Sequence, residues 1–171
     1  ISKEYLDVMD APLDVWLKDE ERFKRTQKIL DDKVELFAEA FGGYENYYPE
    51  IQFNRIPHQH LLNWHILNLA KRKGIKIVAT ADSHYSNPDH WRDREIYKAM
   101  AWASKTKGTV DPNTLPQKIA DLKCELYPKN ASQMWECYKK YASDGAEKFY
   151  EGFDGAVSDA IELTHDIAHN H

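Results

Sequence analysis

A helix-rich α/β fold is what this sequence predicts, on three observations. Short apolar and β-branched runs alternate with longer stretches of helical apolar spacing. The run Ile75–Thr80 follows a helix pattern and a glycine, as the second strand of a βαβ unit does. Pro57 and Asn87-Pro88-Asp89 stand where helices begin, so the segments between strands are punctuated as helices. No internal repeat and no low-complexity segment interrupts this plan.

The segment through Asp10, Pro12 and Asp14 has no clear period and reads as loop or a short turn. From Lys18 to Phe41 the residues Phe23, Leu30, Val34, Phe37 and Phe41 recur at helical spacing, and Gly42-Gly43 stops the helix. Tyr47 to Phe53 alternates two side-chain sets, which predicts a strand. Pro49 removes a ladder donor and puts that strand at an edge or a bulge. Pro57 opens a helix carrying Leu61, Leu62, Ile66, Leu69 and Ala70, which ends near Gly74. Ile75–Thr80 is the buried parallel strand. Asn87 caps a helix that runs to about Ala103. Residues 104–123 form a turn-rich connection, and Leu122–Tyr127 reads as a short strand. One further helix presents Met134, Cys137 or Tyr138, and Tyr141; the last follows Asp154-Gly155 with Val157, Ile161, Thr164 and Ala168 on one face.

The 171 residues support one domain or a large piece of a bigger one. The chain begins with Ile1 rather than Met, from which we expect that upstream sequence is missing. No stretch reaches the roughly 18 apolar residues of a membrane span, and the start lacks a secretion signal, so a cytoplasmic protein without a membrane partner is expected. Cys124 and Cys137 have no paired-cysteine spacing and read as ordinary thiols. A net charge of −5 argues against gripping nucleic acid through a broad basic face. The basic run Lys71-Arg72-Lys73 reads as the solvated end of a helix, where cations suit the macrodipole.

Chemistry concentrates in Thr80-Ala81-Asp82-Ser83-His84-Tyr85, directly after the buried strand. In extended backbone, residues two apart face the same side, so the Asp82 carboxylate and the His84 imidazole are expected to converge. The C-terminal end of a parallel strand is where active sites gather, and one oxygen beside one imidazole nitrogen suits Zn²⁺, Mn²⁺ or Fe²⁺. The competing reading has Asp82 capping a turn and His84 bonding locally. His58-Gln59-His60 has the letters of a metal motif, but it lies at a helix start, where residues two apart diverge; solvation or capping is expected there. His65 is expected to pack or bond in the interior, and His165, His169 and His171 to lie on a helix surface or tail.

The order of short motifs decides between those readings. Tyr48-Pro49-Glu50-Ile51-Gln52, Ile56-Pro57-His58-Gln59, Asn63, Ala79-Thr80-Ala81-Asp82-Ser83-His84-Tyr85, Asn87-Pro88-Asp89, Asp111-Pro112-Asn113 and Glu125 through Met134 follow one another in fixed order. From Tyr47 onward the chain thereby resembles the PHP (polymerase and histidinol phosphatase) domain of bacterial DNA polymerase III alpha subunits. The resemblance implies a distorted (β/α)7 barrel, of which this chain supplies roughly the last three βα units. It further implies that residues 1–127 are the C-terminal portion of that barrel and 128–171 a trailing helical segment leading toward the polymerase core.

The resemblance makes Asp82 and His84 metal ligands, with Glu50 and Tyr85 standing behind them, and implies Zn or Mn in the complete domain and Mg for the parent polymerase. The family's other ligands lie nearer its N-terminus and are absent from this sequence. Pro49 replaces a usual Leu, Asn54-Arg55 stand for His-Gly, and Ala81 replaces a common Asn, departures that bear most on Glu50. A complete site hydrolyses a phosphoester at a metal-activated water, as in proofreading; the isolated chain is expected to be inactive. The implied partners are the remainder of the alpha subunit and the replisome, DNA only indirectly, and a second copy through the uncovered half-barrel edge. Two other readings stand beside this one: a non-catalytic structural module of the replisome, and a small-molecule phosphatase of the histidinol phosphatase type.

Overall fold

The structure, a computed structural model, describes residues 12–170, and for Asn170 the backbone alone. Asp10, Ile1 and His171 fall outside the described residues.

Helix α1 (Leu13–Trp16) is a single turn whose Trp16 is buried. Helix α2 (Glu20–Ala40) starts where the Asp19 side chain accepts from the Arg22 N–H at 2.9 Å. The sequence places Phe37 and Phe41 on its core face, but both are about half exposed and stack on Tyr47 at 5.8 and 6.0 Å. Thr26, Gln27, Val34 and Ala38 form the buried face instead. Helix α2 meets α3 (Pro57–Lys73) through Phe23 against Trp64, Gln27 against His65, and Asp31 and Glu35 against Arg72 and Lys73, whereas Phe37 and Phe41 pack on Tyr47.

Strand β1 (Glu50–Ile51), α3 and β2 (Val78–Ala79) make the expected βαβ unit, with β1 and β2 parallel and Glu50 opposite Val78. Both strands are shorter than their sequence patterns. The ladder is extended only by Val78 N–H to Pro49 C=O at 3.0 Å and Thr80 N–H to Ile51 C=O at 3.1 Å. At Gln52 the backbone turns from strand pairing to the Asn63 side chain, which ends β1. Pro49 falls one residue before β1, and among the described residues β1 is one of two strands and so has an open edge. Gly74, at φ 65, closes α3 in the left-handed conformation that a residue without Cβ adopts freely.

After β2 come a 3₁₀ turn at Pro88–His90, capped by Asn87, and α4 (Trp91–Thr106). Helix α4 buries no residue, and its Tyr97, Met100 and Trp102 are more than half exposed. The strand expected over Leu122–Tyr127 does not form. This segment makes isolated backbone bonds, from Arg55 N–H to Lys123 C=O at 2.7 Å and from His84 N–H to Leu126 C=O at 2.8 Å, rather than a ladder. Helices α5 (Ala131–Ala142), α6 (Glu147–Tyr150) and α7 (Asp154–Asn170) complete the chain. Helix α5 opens on a capping box between Asn130 and Gln133. Met134, Cys137, Tyr138 and Tyr141 are its buried face, as their spacing predicts. On α7 Val157 and Ile161 are buried, but Thr164 and Ala168 are exposed, because the helix runs past the edge of β2, on which its first half packs.

The core is one cluster in which Ile51, Phe53, Leu61, Leu67 and Ala79 of the βαβ unit meet Tyr138, Tyr141, Phe149, Val157 and Ile161 of the last three helices. Burying several large side chains this completely, each contributing roughly 1.5–3 kcal/mol, fixes the C-terminal helices against the sheet. The described part is therefore helix-rich, with a small parallel sheet held between α3 and α7.

Candidate metal site

The end of β2 presents the Asp-x-His pair, but not by the extended alternation the sequence predicts. Asp82 has φ 46, in the left-handed region. Aspartate tolerates that region better than most residues, yet a non-glycine there stores strain of the kind that gathers at functional sites. The turn still brings the two side chains together. His84 Nδ1 lies 2.6 Å from the Asp82 carbonyl oxygen and 3.9 Å from Asp82 Oδ1.

A carbonyl only accepts, so His84 Nδ1 carries the hydrogen in that contact. The neutral ring then keeps its lone pair on Nε2, the tautomer that metal-bound histidines adopt when a backbone carbonyl orients them. Both side chains are about half exposed, at 52% for Asp82 and 45% for His84, and so are open to solvent ions.

The elements behind the pair hold it in place. The His84 and Tyr85 N–H groups both donate to the Leu126 carbonyl, at 2.8 and 3.2 Å. In return, the Tyr85 hydroxyl accepts from the Leu126 N–H at 3.0 Å. Burial pushes the Tyr85 phenol up, so it keeps its proton. Tyr85 thus ties the loop to the segment before α5. Glu50, on β1, accepts from Gln52 Nε2 at 2.6 Å and from the Thr80 hydroxyl two residues before Asp82. Its carboxylate braces the strand end, while the Tyr48 hydroxyl turns away to the Glu45 carbonyl at 2.9 Å.

Asp82 and His84 supply one oxygen and one nitrogen donor. Among the described residues no group of three His, Cys, Asp or Glu side chains gathers around a common point. This donor set does not by itself fit the closed four-coordinate cage of a structural metal or the three-ligand set of a catalytic one.

The other histidines take different roles. His60, expected to be solvated, is buried, with Nδ1 2.9 Å from the Tyr150 hydroxyl; burial lowers its pKa. The helix start turns His58 outward and His60 inward, which separates the two rings as helical geometry requires. His65 is interior, as expected: Nδ1 lies 3.2 Å from Gln27 Oε1, the ring stacks on Phe23 at 5.0 Å, and burial lowers its pKa to about 4. The basic run pairs with α2, Arg72 to Asp31 at 2.8 Å and Lys73 to Glu35 at 3.0 Å.

Sequence reasoning places Asn63 and Thr80 in the motif order but missed how they and Leu126 steady the strand end. Asn63 is fully buried, bonding Gln52 and Tyr150; its signal was a polar residue between Leu62 and Ile66 on an otherwise apolar face. Leu126 and Thr80 act through a backbone carbonyl and a hydroxyl, for which the sequence carries no signal.

No family model matches the chain. The chain is 41% identical over 140 residues to the DNA polymerase III subunit alpha of Chlamydia trachomatis, covering 79% of this chain and 10% of that protein. It is 29% identical over 139 residues to the subunit of Aquifex aeolicus, with 80% and 10% covered, and 29% over 124 residues to that of Campylobacter jejuni, with 72% and 8% covered. Stretches covering that much of the chain include Asp82 and His84 wherever they begin. The chain spans about a tenth of the length of the curated relatives it matches. Over some four-fifths of its length, then, this chain, its βαβ unit included, is similar to one segment of DNA polymerase III alpha subunits.

Proposed function

We propose that the chain is a piece of a replicative DNA polymerase III alpha subunit, from a PHP-type distorted (β/α)7 barrel with metal-dependent phosphoesterase ancestry. The similarity to alpha subunits across the Asp-x-His segment carries this reading. Asp82 and His84 are two ligands of a divalent ion, Zn or Mn, with Glu50 and Tyr85 bracing the loop that bears them. The tautomer imposed on His84 and the left-handed Asp82 support those roles. Metal completed by further ligands would supply an activated water for phosphoester hydrolysis. Two ligands do not hold such a cluster, so the isolated chain lacks nuclease activity and binds the ion weakly.

Nucleotidyl transfer, with its Mg, belongs in this reading to the rest of the polymerase. Partners are that remainder and the replisome, in the cytoplasm, with DNA reached through them; no helix among the described residues is long and apolar enough to cross a membrane. The short sheet with open edges and the exposed Tyr97, Met100 and Trp102 of α4 support such contacts, and self-association when the chain is alone. A second reading, a structural module without chemistry, is favoured by the half exposure of Asp82 and His84.

The test pairs an assay with the surrounding gene. Purified chain incubated with Mn²⁺ and a primer is expected to release no nucleotides, and the flanking sequence to carry an HxH motif upstream and a polymerase core downstream. Metal-dependent release that vanishes in Asp82→Ala/His84→Ala would overturn the inactivity. A reading frame with no polymerase core on either side would overturn the polymerase assignment.

A further inference from the structure

We propose that His165 and His169, on the last turns of α7, form a two-imidazole chelate for a late first-row divalent cation, with Zn²⁺ as the natural occupant. Residues four apart on a helix lie on one face, one turn above the other. Here the two rings have centroids 4.2 Å apart, tilted by 51°. A tetrahedral zinc with bonds of about 2.1 Å holds its two nitrogens about 3.4 Å apart, a separation that rings at this distance reach by small side-chain rotations. Both residues are exposed, on the part of α7 that runs past the sheet, so an ion enters without disturbing the core.

The other described histidines are arranged differently. His58 and His60 are two apart, and their helix sends one outward and one into the core. His65 is interior, and His84 and His90 are engaged with the Asp82 carbonyl and the Ser86 hydroxyl. His165 and His169 alone among the described histidines are partnered by each other's rings at i,i+4 spacing.

Among the described residues no third His, Cys, Asp or Glu joins them in a metal-sized group. An all-imidazole donor set selects Zn²⁺, Ni²⁺ or Cu²⁺ over Mg²⁺ or Mn²⁺, the opposite bias to a carboxylate-containing pair. The site is independent of Asp82 and His84 and of the polymerase reading.

The experiment is calorimetric titration of Zn²⁺ alone into the full chain carrying Asp82→Ala/His84→Ala, so that the strand-end pair cannot contribute. The expected result is saturable uptake of one ion per chain, lost in His165→Ala and in His169→Ala added singly, and kept when His58→Ala is added instead. Zn²⁺ is also expected to raise the melting temperature of the parent and of neither α7 variant, because an ion bound only to the folded helix stabilises it. Absence of uptake by the parent, or undiminished uptake by either single α7 variant, would overturn the proposal.

Discussion

Asn63→Leu is expected to destabilise the fold by roughly 2–4 kcal/mol, since each buried polar group left without a partner costs about 1–3 kcal/mol. Asn63 is completely buried in the middle of α3. Its Nδ2 donates to the Gln52 carbonyl at 2.6 Å and to the Tyr150 hydroxyl at 2.9 Å, and its Oδ1 accepts from Gln59 at 2.9 Å and from the Gln52 N–H at 3.3 Å. One amide thus substitutes for a neighbouring strand at the end of β1 and ties α6 to α3. Leucine matches its volume but satisfies none of these groups, so Gln52 loses both backbone partners. The Tyr150 hydroxyl retains only His60. Urea unfolding reads the loss directly, and a destabilisation under about 1 kcal/mol, the net value of one ordinary hydrogen bond, would show that the amide is not what ends β1.

The second large effect is a loss of stability in mild acid set by His65. This imidazole is fully buried among Phe23, Trp64 and Trp16, and burial lowers its pKa from 6.5 to about 4. In the unfolded chain it takes up a proton near its ordinary value, while the folded chain resists until about pH 4. The unfolded state therefore binds more protons across that window, and stability rises with pH there. The contribution is complete above about pH 6.5 and declines as pH falls, by about 1.4 kcal/mol per unit, to a loss of roughly 3 kcal/mol near pH 4. His60, also lowered by burial, acts with the same sign. In His65→Phe the dependence between pH 6.5 and 4 is expected to be shallower by about 1.4 kcal/mol per unit. Superimposable pH profiles for the two proteins, measured by urea unfolding, would contradict the assignment.

Much of this architecture is written locally. Asn87 caps the turn it precedes, Pro57 opens α3 and Gly74 closes it, all read from the sequence because capping depends on residues within one turn; the Asp19 and Asn130 caps obey the same rule but emerge only in the structure. The βαβ unit is readable for the same reason: an apolar run, a helix period and a glycine follow in order. What escaped the sequence depends on distant contacts. Phe37 and Phe41 have the spacing of a core face, but Tyr47 covers them in part and solvent the rest. Leu122–Tyr127 has strand composition but no strand to pair with. His60 is buried because Tyr150, ninety residues on, supplies a partner that only the folded chain brings near.

The strand-end pair shows the same division. Its two residues and their closeness are legible, but the geometry that achieves it is not. Alternation along an extended strand predicts convergence of the side chains; the left-handed turn at Asp82 instead folds His84 back onto the Asp82 carbonyl. The resulting tautomer, and the anchoring of the loop by Tyr85 and Leu126, belong to the tertiary structure.

That the tip of β2 receives a divalent ion is best examined with Mn²⁺, whose unpaired electrons broaden nearby nuclear resonances and which favours a carboxylate-containing pair over imidazoles alone. Titrating Mn²⁺ into labelled chain is expected to broaden the amide signals of Ala81 to Tyr85 and the His84 ring first, with the effect gone in Asp82→Ala/His84→Ala. Broadening that spares those signals, or that persists unchanged in the double variant, would contradict the role given to Asp82 and His84.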